Sequence, residues 1–196
     1  MSGLTPSQTV GPFFAFGLTP NRNYAWVDTF SNNLVTPDAA GERIRIEGRV
    51  TDADGAPIND AMIEIWQADA QGRYAHPRDS RALPNAAFKG FGRAGTDADG
   101  VYAFDTIKPG PVPGPDGAPQ APHVLLAFYS RGLLTHLYTR IYFADEAANG
   151  RDPILALVPA DRRRTLAAKR EERGDLTVYR FDISFQPESE TVFFDV

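Results

Sequence analysis

Side chains able to bind a metal or act as a nucleophile are few in this sequence. The chain has three histidines, His76, His123 and His136, and no cysteine, so thiolate metal sites, disulfides and cysteine nucleophiles are excluded. It also lacks the G-x-S-x-G motif that presents the serine of many hydrolases. Taken alone, the three histidines are interpreted as structural or surface residues rather than as a catalytic set.

His123 stands at the start of an apolar run, in the segment APHVLLAFYSRG (121–132). Alternate side chains of a β-strand point to the same face, so a second metal ligand from this strand is expected at position 125. That position is Leu125, which cannot donate to a metal. The segment therefore predicts a structural histidine or a metal site that is incomplete within this strand.

Short alternating segments must position these residues. RIRIEGRVTD and AMIEIWQAD both alternate with period 2, and the turn residues DGAPIND between them predict a strand pair. Further strands are predicted at GVYAFDTIKPG, HVLLAFYS, HLYTRIYFAD, LTVYRFDISFQ and TVFFDV. Seven or more short strands predict an all-β sandwich, with one short, solvated helix over DRRRTLAAKREE (161–172).

Length and composition limit the functional classes. We expect one domain over residues 1–196, with an extended N-terminal arm (1–40) and a sandwich core (41–196). The net charge of −5 gives no electrostatic reason to expect a nucleic-acid partner. The longest apolar run, VLLAFY, is far short of the roughly 20 residues that span a bilayer. We expect a cytoplasmic protein with no membrane partner.

The pentapeptide TDADG occurs twice, at 51–55 and 96–100. Asp-x-Asp-Gly can begin a calcium loop, but the remaining oxygen ligands of such a loop do not follow here, so two hairpin turns are predicted instead. The sequence around both turns resembles small transthyretin-like sandwich modules. The proline-rich segment 109–122 is predicted to be an extended loop that borders a site.

A more specific resemblance rests on several motifs in order: TPSQTVGPFF, IEIWQADAQGRYAHPRD, GFGRAGTDADGVYAFDTIKPG, QAPHVLLAFYSRG, RIYFADE and TVFFDV. Together they resemble the intradiol ring-cleaving dioxygenases over nearly the whole chain. The resemblance implies a β-sandwich and O2-dependent opening of a catechol ring between its two hydroxyl-bearing carbons. It also implies a non-haem Fe(III), held in the family by two tyrosines and two histidines.

Only half of that ligand set is present in this sequence. By the resemblance, Tyr74 matches the first tyrosine and His123 the first histidine, whereas the second tyrosine is replaced by Val112 and the second histidine by Leu125. An arginine that assists the reaction in iron-binding members is replaced by Gln120. Two apolar side chains cannot coordinate Fe(III), so this chain alone is expected to bind no metal and to be inactive.

The family includes enzymes that pair such a degenerate chain with an iron-binding beta subunit. This resemblance implies a beta subunit as partner, Fe(III) bound by that subunit, and the carboxylated catechol protocatechuate as substrate. It further implies that Thr9, Gly11 and Pro12 of the arm, together with Arg131, border the partner's substrate pocket. The guanidinium of Arg131 suits a substrate that carries a carboxylate.

Each of these expectations has an alternative in the sequence. Gly11 and Pro12 could simply shape an extended arm, Arg131 could be an ordinary turn residue, and Tyr74 could pack on the sandwich near a hydrogen-bonded His123. At the level of the whole protein, the alternatives are a stand-alone intradiol enzyme, which Val112 and Leu125 oppose, and a non-catalytic transthyretin-like binding or scaffolding module.

Overall fold

The computed structural model describes residues 18–19, 30–83, 86–114 and 117–195. These residues form eleven strands and three short 3-10 helices. The strands are β1 Arg43–Thr51, β2 Met62–Trp66, β3 Phe91–Gly95, β4 Val101–Ile107, β5 Val112–Pro113, β6 Pro119–Gln120, β7 His123–Tyr129, β8 Leu137–Phe143, β9 Ala167–Arg173, β10 Leu176–Arg180 and β11 Ile183–Ser184. The helices are Ala147–Arg151, Leu155–Leu157 and Arg163–Leu166. No helix in this part of the chain is long and apolar enough to cross a membrane.

The strands build two layers around one core. One layer contains β4, β1, β10 and β9, and the other contains β8, β7, β2 and β3, in that order. The layers are joined by a short parallel pairing of β8 with β9, and β5 pairs with β6 beside them. Apolar side chains from both layers pack into one buried cluster that includes Ile44, Ile46, Ile63, Ile65, Phe104, Leu126, Phe128 and Phe143. The all-β prediction is therefore correct.

The alternating pattern of β1 has a direct structural cause. Ile44, Ile46 and Val50 point into the core and are almost fully buried. Gly48 holds the inward position between them, where a Cβ atom would lie 1.7 Å from the carbonyl oxygen of Phe181. The same carbonyl accepts a 2.6 Å hydrogen bond from the buried Tyr102 hydroxyl. Only glycine permits this close approach of the two backbones.

The predicted pairing of the first two strands is wrong. β1 pairs with β4, β10 and β11, whereas β2 pairs with β3 and β7 in the other layer. The Asp-Gly turn between them closes only one antiparallel bridge, Thr51 to Pro57, and the chain then crosses to the opposite layer. Local turn chemistry fixed the reversal of direction but not the identity of the partner strand.

Both TDADG segments form turns of the same geometry. In each, the first aspartate, Asp52 or Asp97, accepts hydrogen bonds from the backbone amides two and four residues further along the chain. These carboxylates therefore stabilise turns. The second turn joins β3 to β4, which lie in different layers, so the hairpin prediction is wrong at 96–100.

The predicted helix over 161–172 is present only in part. Arg163–Leu166 forms a 3-10 helix in which Leu166 is fully buried, but Ala167–Arg173 is the strand β9. β9 lies between β10 and β8 and pairs with both. Backbone pairing within the sheet outweighs the helix propensity of this Ala-, Lys- and Glu-rich segment.

Part of the expected arm lies within the described residues. Ser31 to Leu34 run beside β3 and β4, with backbone hydrogen bonds from Leu34 to Asp105, from Asp105 to Asn32 and from Arg93 to Ser31. The Leu34 side chain is buried in the core. Thr9, Gly11 and Pro12 lie outside the described residues.

Candidate functional site

The outer face of β7 carries His123, which matches the first histidine of the family, and Leu125, which replaces the second. Val124, Leu126 and Phe128 point into the core and are fully buried, so His123 and Leu125 point together to the opposite face. Leu125 lies opposite Trp66 on β2 and opposite Arg140 on β8. These strands therefore place an indole, an isobutyl group and a guanidinium side by side across the sheet.

Tyr74 approaches this face from the segment that follows β2. Its ring stacks on Trp66 with the centroids 5.9 Å apart, and its backbone amide donates to Asp79. The preceding turn packs tightly on the proline-rich loop, because a Cβ atom on Gly72 would lie 1.9 Å from the carbonyl oxygen of Pro111. Because of this contact, Tyr74 and the buried Val112, which replaces the second tyrosine of the family, line one cavity of about 440 Å³.

His123 is held as a neutral imidazole. The side chain is 4% exposed, and its Nδ1 donates a 2.8 Å hydrogen bond to the carbonyl oxygen of Ala121. Burial lowers the pKa of His123 to about 4, and the nearby Arg140 acts in the same direction. The ring is therefore uncharged at neutral pH, with its Nδ1 proton already committed to the backbone.

Tyr74 is likewise a neutral side chain. Burial raises the pKa of Tyr74 above the ordinary value for tyrosine, and Asp79 adds to that rise, whereas Arg140 and Arg81 oppose it. The phenol stays protonated at neutral pH, so it differs from the tyrosinate that a ferric ion favours.

Arg140 supplies a positive charge among these neutral groups. Its Nη1 donates to the Gln120 side-chain oxygen at 2.7 Å and to the Tyr142 hydroxyl at 3.4 Å. Tyr142 in turn donates to Asp152 at 3.1 Å. Asp152 is 1% exposed and also accepts from three backbone amides, those of Ala121, Ile154 and Leu155. The Arg140 guanidinium is therefore connected to the Asp152 carboxylate only through a tyrosine hydroxyl.

The residues at this site do not fit a ferric ion. Two of the four expected ligand positions hold apolar side chains, and a third holds a protonated phenol. Only His123, as a neutral imidazole, is in the form that binds a metal. The Arg140 guanidinium adds like charge to the place where a cation would bind. Within the described ranges, no group of three or more His, Cys, Asp or Glu residues is arranged to hold a metal. The four positions therefore lie beside a fixed positive charge and lack the anionic oxygen donors that a ferric ion favours.

Arg131 lies at the other end of β7. It is eight residues beyond His123, a distance of roughly 26 Å along an extended strand, so the structure does not bring it to the degenerate site. Its Nε lies 2.8 Å from Asp60 Oδ2, without the alignment of a hydrogen bond. The Arg131 side chain is 60% exposed and that of Asp60 only 17%. A mostly buried carboxylate thus faces one side of a guanidinium that is open to solvent.

Sequence reasoning missed Arg140, Tyr142, Asp152 and Asp60. The alternation of LYTRIYF does show that Arg140 and Tyr142 share one face of a strand. Their position beside His123 and Leu125 follows only from the pairing of β7 with β8. Asp60 and Arg131 lie just beyond another cross-strand pair, Met62 with Tyr129, which the sequence also could not identify.

Comparison with known proteins gives consistent matches. A family model described as Dioxygenase matches residues 21–187. The chain is 47% identical to a protocatechuate 3,4-dioxygenase alpha chain from Burkholderia cepacia, covering 98% of this chain and 97% of that one. It is 46% identical to an alpha chain of the same enzyme from Pseudomonas putida, covering 97% and 96%. A Burkholderia cepacia beta chain is 35% identical, covering 80% and 69%.

Solved structures share the fold. An intradiol ring-cleavage dioxygenase from Tetranychus urticae superposes with a TM-score of 0.64 at 20% identity, covering 96% of this chain and 97% of that chain. A dioxygenase domain from Streptomyces sp. SirexAA-E gives a TM-score of 0.61 at 22% identity, covering 93% and 99%. At these identities the likeness concerns the fold alone.

Proposed function

The chain belongs to the dioxygenase family of intradiol ring-cleaving enzymes, and we propose that it is the alpha subunit of a protocatechuate 3,4-dioxygenase. The observation that supports this most strongly is its similarity to two alpha chains over almost their full length. The complete enzyme cleaves protocatechuate with O2 to 3-carboxy-cis,cis-muconate, a step of aromatic catabolism. This chain contributes to that reaction as one of two kinds of subunit.

The Fe(III) of the enzyme is held by a beta subunit. Tyr74 is a protonated phenol in this chain, and Val112, Leu125 and the charge of Arg140 complete a site that does not suit a ferric ion. The similarity to a beta chain over most of the present sequence supports a partner with a related fold. The chemistry of oxygen and ring opening takes place on that partner.

The contribution of this chain is at the border of the partner's pocket. Arg131 is mostly exposed, so its guanidinium can reach a neighbouring subunit. If the substrate carboxylate accepts hydrogen bonds from two of its N–H groups, the substrate is bound in a defined orientation. Thr9, Gly11 and Pro12 of the arm complete this border in the proposal. The chain acts as a single domain, with residues 1–40 as the arm and 41–196 as the core.

Co-expression with an iron-binding beta chain of the family tests the proposal. We expect a coloured, iron-containing complex that cleaves protocatechuate, whereas this chain purified alone contains little iron and is inactive. In that complex, Arg131→Ala should raise the KM for protocatechuate. Its matched control is Arg151→Ala, which removes another exposed arginine that has no ion pair among the described residues. It should leave the kinetics unchanged. Failure of the two chains to form a complex, or stoichiometric iron in this chain alone, would contradict the proposal.

A further inference from the structure

A second cavity lies beside the degenerate site, on the outer face of β2, β7 and β8. Its volume is about 640 Å³, which is within the range of small-molecule sites. The segment around Leu157 and the C-terminal segment border it, the latter held by a 2.8 Å backbone hydrogen bond from Phe194 to Tyr138. The wall is largely apolar and aromatic, with Trp66, Phe91, Leu125, Tyr138, Leu157 and Phe194.

Arg140 is the one basic side chain among the described residues that line this cavity. It is half-buried, and both of its hydrogen bonds leave from Nη1 toward neutral acceptors. A guanidinium has five N–H donors, so the donors on Nε and Nη2 remain available. A partly desolvated guanidinium without a carboxylate partner is costly, and a bound anion offsets that cost.

The two acidic residues of the wall do not neutralise Arg140. Glu64 accepts from Nε and Nη2 of Arg93 and lies 3.4 Å from the Tyr129 hydroxyl, so its charge is already paired. Asp195 is exposed at the rim, where solvent screens its charge. The interior of the cavity therefore combines apolar walls with one positive group.

We propose that this cavity binds a small organic carboxylate with an apolar ring, anchored by the Arg140 guanidinium. The planar fork of arginine matches a carboxylate in a bidentate arrangement. Leu125, directly beside Arg140, and Trp66, on the far side of Leu125, receive the ring. The site requires no metal and involves no covalent step. It is independent of the proposed function, because it concerns this chain's own cavity rather than the partner's iron site.

Calorimetric titration of the full chain with benzoate tests this site, with benzamide as the uncharged probe of the same shape. We expect benzoate to bind at least tenfold more tightly than benzamide. Arg140→Met should weaken benzoate at least tenfold and leave benzamide nearly unchanged, and Arg140→Lys should retain part of the difference. Arg43→Met, which removes an exposed charge on the opposite layer, is the control and should bind as the wild type does.

Three results would overturn the proposal: no benzoate binding, equal affinity for benzoate and benzamide, or unchanged benzoate affinity in Arg140→Met. Circular dichroism establishes that each variant is folded. If Arg140→Met does not fold, Arg140→Lys and the comparison of benzoate with benzamide on the wild-type chain still decide the outcome, because a cationic site favours the anionic probe.

Discussion

Asp60 holds Arg131 in place, and replacing it with asparagine tests the proposed role of that arginine. Both residues lie just past the paired ends of β2 and β7, and the Arg131 Nε is 2.8 Å from Asp60 Oδ2. The contact is electrostatic rather than an aligned hydrogen bond, and the arginine is mostly exposed. A pair of this kind contributes about 0.5–1 kcal/mol, which corresponds to a factor of about two to five.

In the complex with the beta subunit, Asp60→Asn should therefore raise the KM for protocatechuate about two- to fivefold and leave kcat nearly unchanged. Arg131→Ala removes the charge-assisted contact itself, worth about 1.5–3 kcal/mol, so the KM should rise by roughly ten- to a hundredfold. Catechol, which lacks the carboxylate, should show almost no response to either change. Steady-state kinetics with both substrates measures these differences.

The comparison of the two substrates decides between orientation and simple structural damage. A damaged subunit lowers activity toward protocatechuate and catechol together, whereas the loss of a carboxylate contact affects protocatechuate alone. If Arg131→Ala leaves the KM for protocatechuate unchanged, Arg131 does not border the pocket. If Arg131→Ala acts and Asp60→Asn does not, the arginine is oriented by the partner instead of by Asp60.

Three further changes test the structural reasoning. The double variant Val112→Tyr, Leu125→His should still take up little iron, because the Arg140 guanidinium repels a cation there. Adding Arg140→Met to this double variant should increase the iron content measured by elemental analysis. Equal iron content with and without Arg140→Met contradicts the electrostatic argument. The pKa of His123 lies below its usual value of 6.5, at about 4, so the unfolded chain binds the proton more readily. The unfolding free energy, measured in urea, should fall by up to about 3 kcal/mol as the pH drops from 7 toward 4, and a folded His123→Gln variant should lose that part of the pH dependence. Tyr102→Phe removes a buried 2.6 Å hydrogen bond to a backbone carbonyl and should cost about 1–3 kcal/mol in the same assay; a neutral result indicates that the carbonyl finds another donor.

The sequence could predict which side chains share a face, because that depends only on the period of a strand. Ile63 and Ile65 are fully buried in the core as the alternation of β2 requires, and His123 and Leu125 share the opposite face of β7. The sequence could not predict which strands are neighbours. The pairing of Leu125 with Arg140 joins residues 15 positions apart, and no local pattern encodes it.

The segment from 161 to 173 shows the second limit of local reasoning. Its charged residues and alanines favour a helix by propensity, and the buried Leu166 fits the apolar stripe of such a helix. The chain instead leaves a 3-10 helix at Leu166 and continues as β9, because β8 and β10 both offer free backbone groups on either side. Satisfying those groups is a property of the assembled sheet.

The two ends of β7 thus have separate roles in one strand. Along the strand, Leu125 and the neighbouring charged Arg140 line a cavity suited to an anion; just past its end, the exposed Arg131 is available to another chain. Leu125, which lies opposite Arg140, is six residues before Arg131 on a strand that is paired on both edges, so the two arginines are separated by roughly 20 Å. Charge effects across that distance are strongly screened at physiological salt. Substitutions at Arg140 should therefore leave the KM for protocatechuate unaltered, and substitutions at Arg131 should leave benzoate binding unaltered.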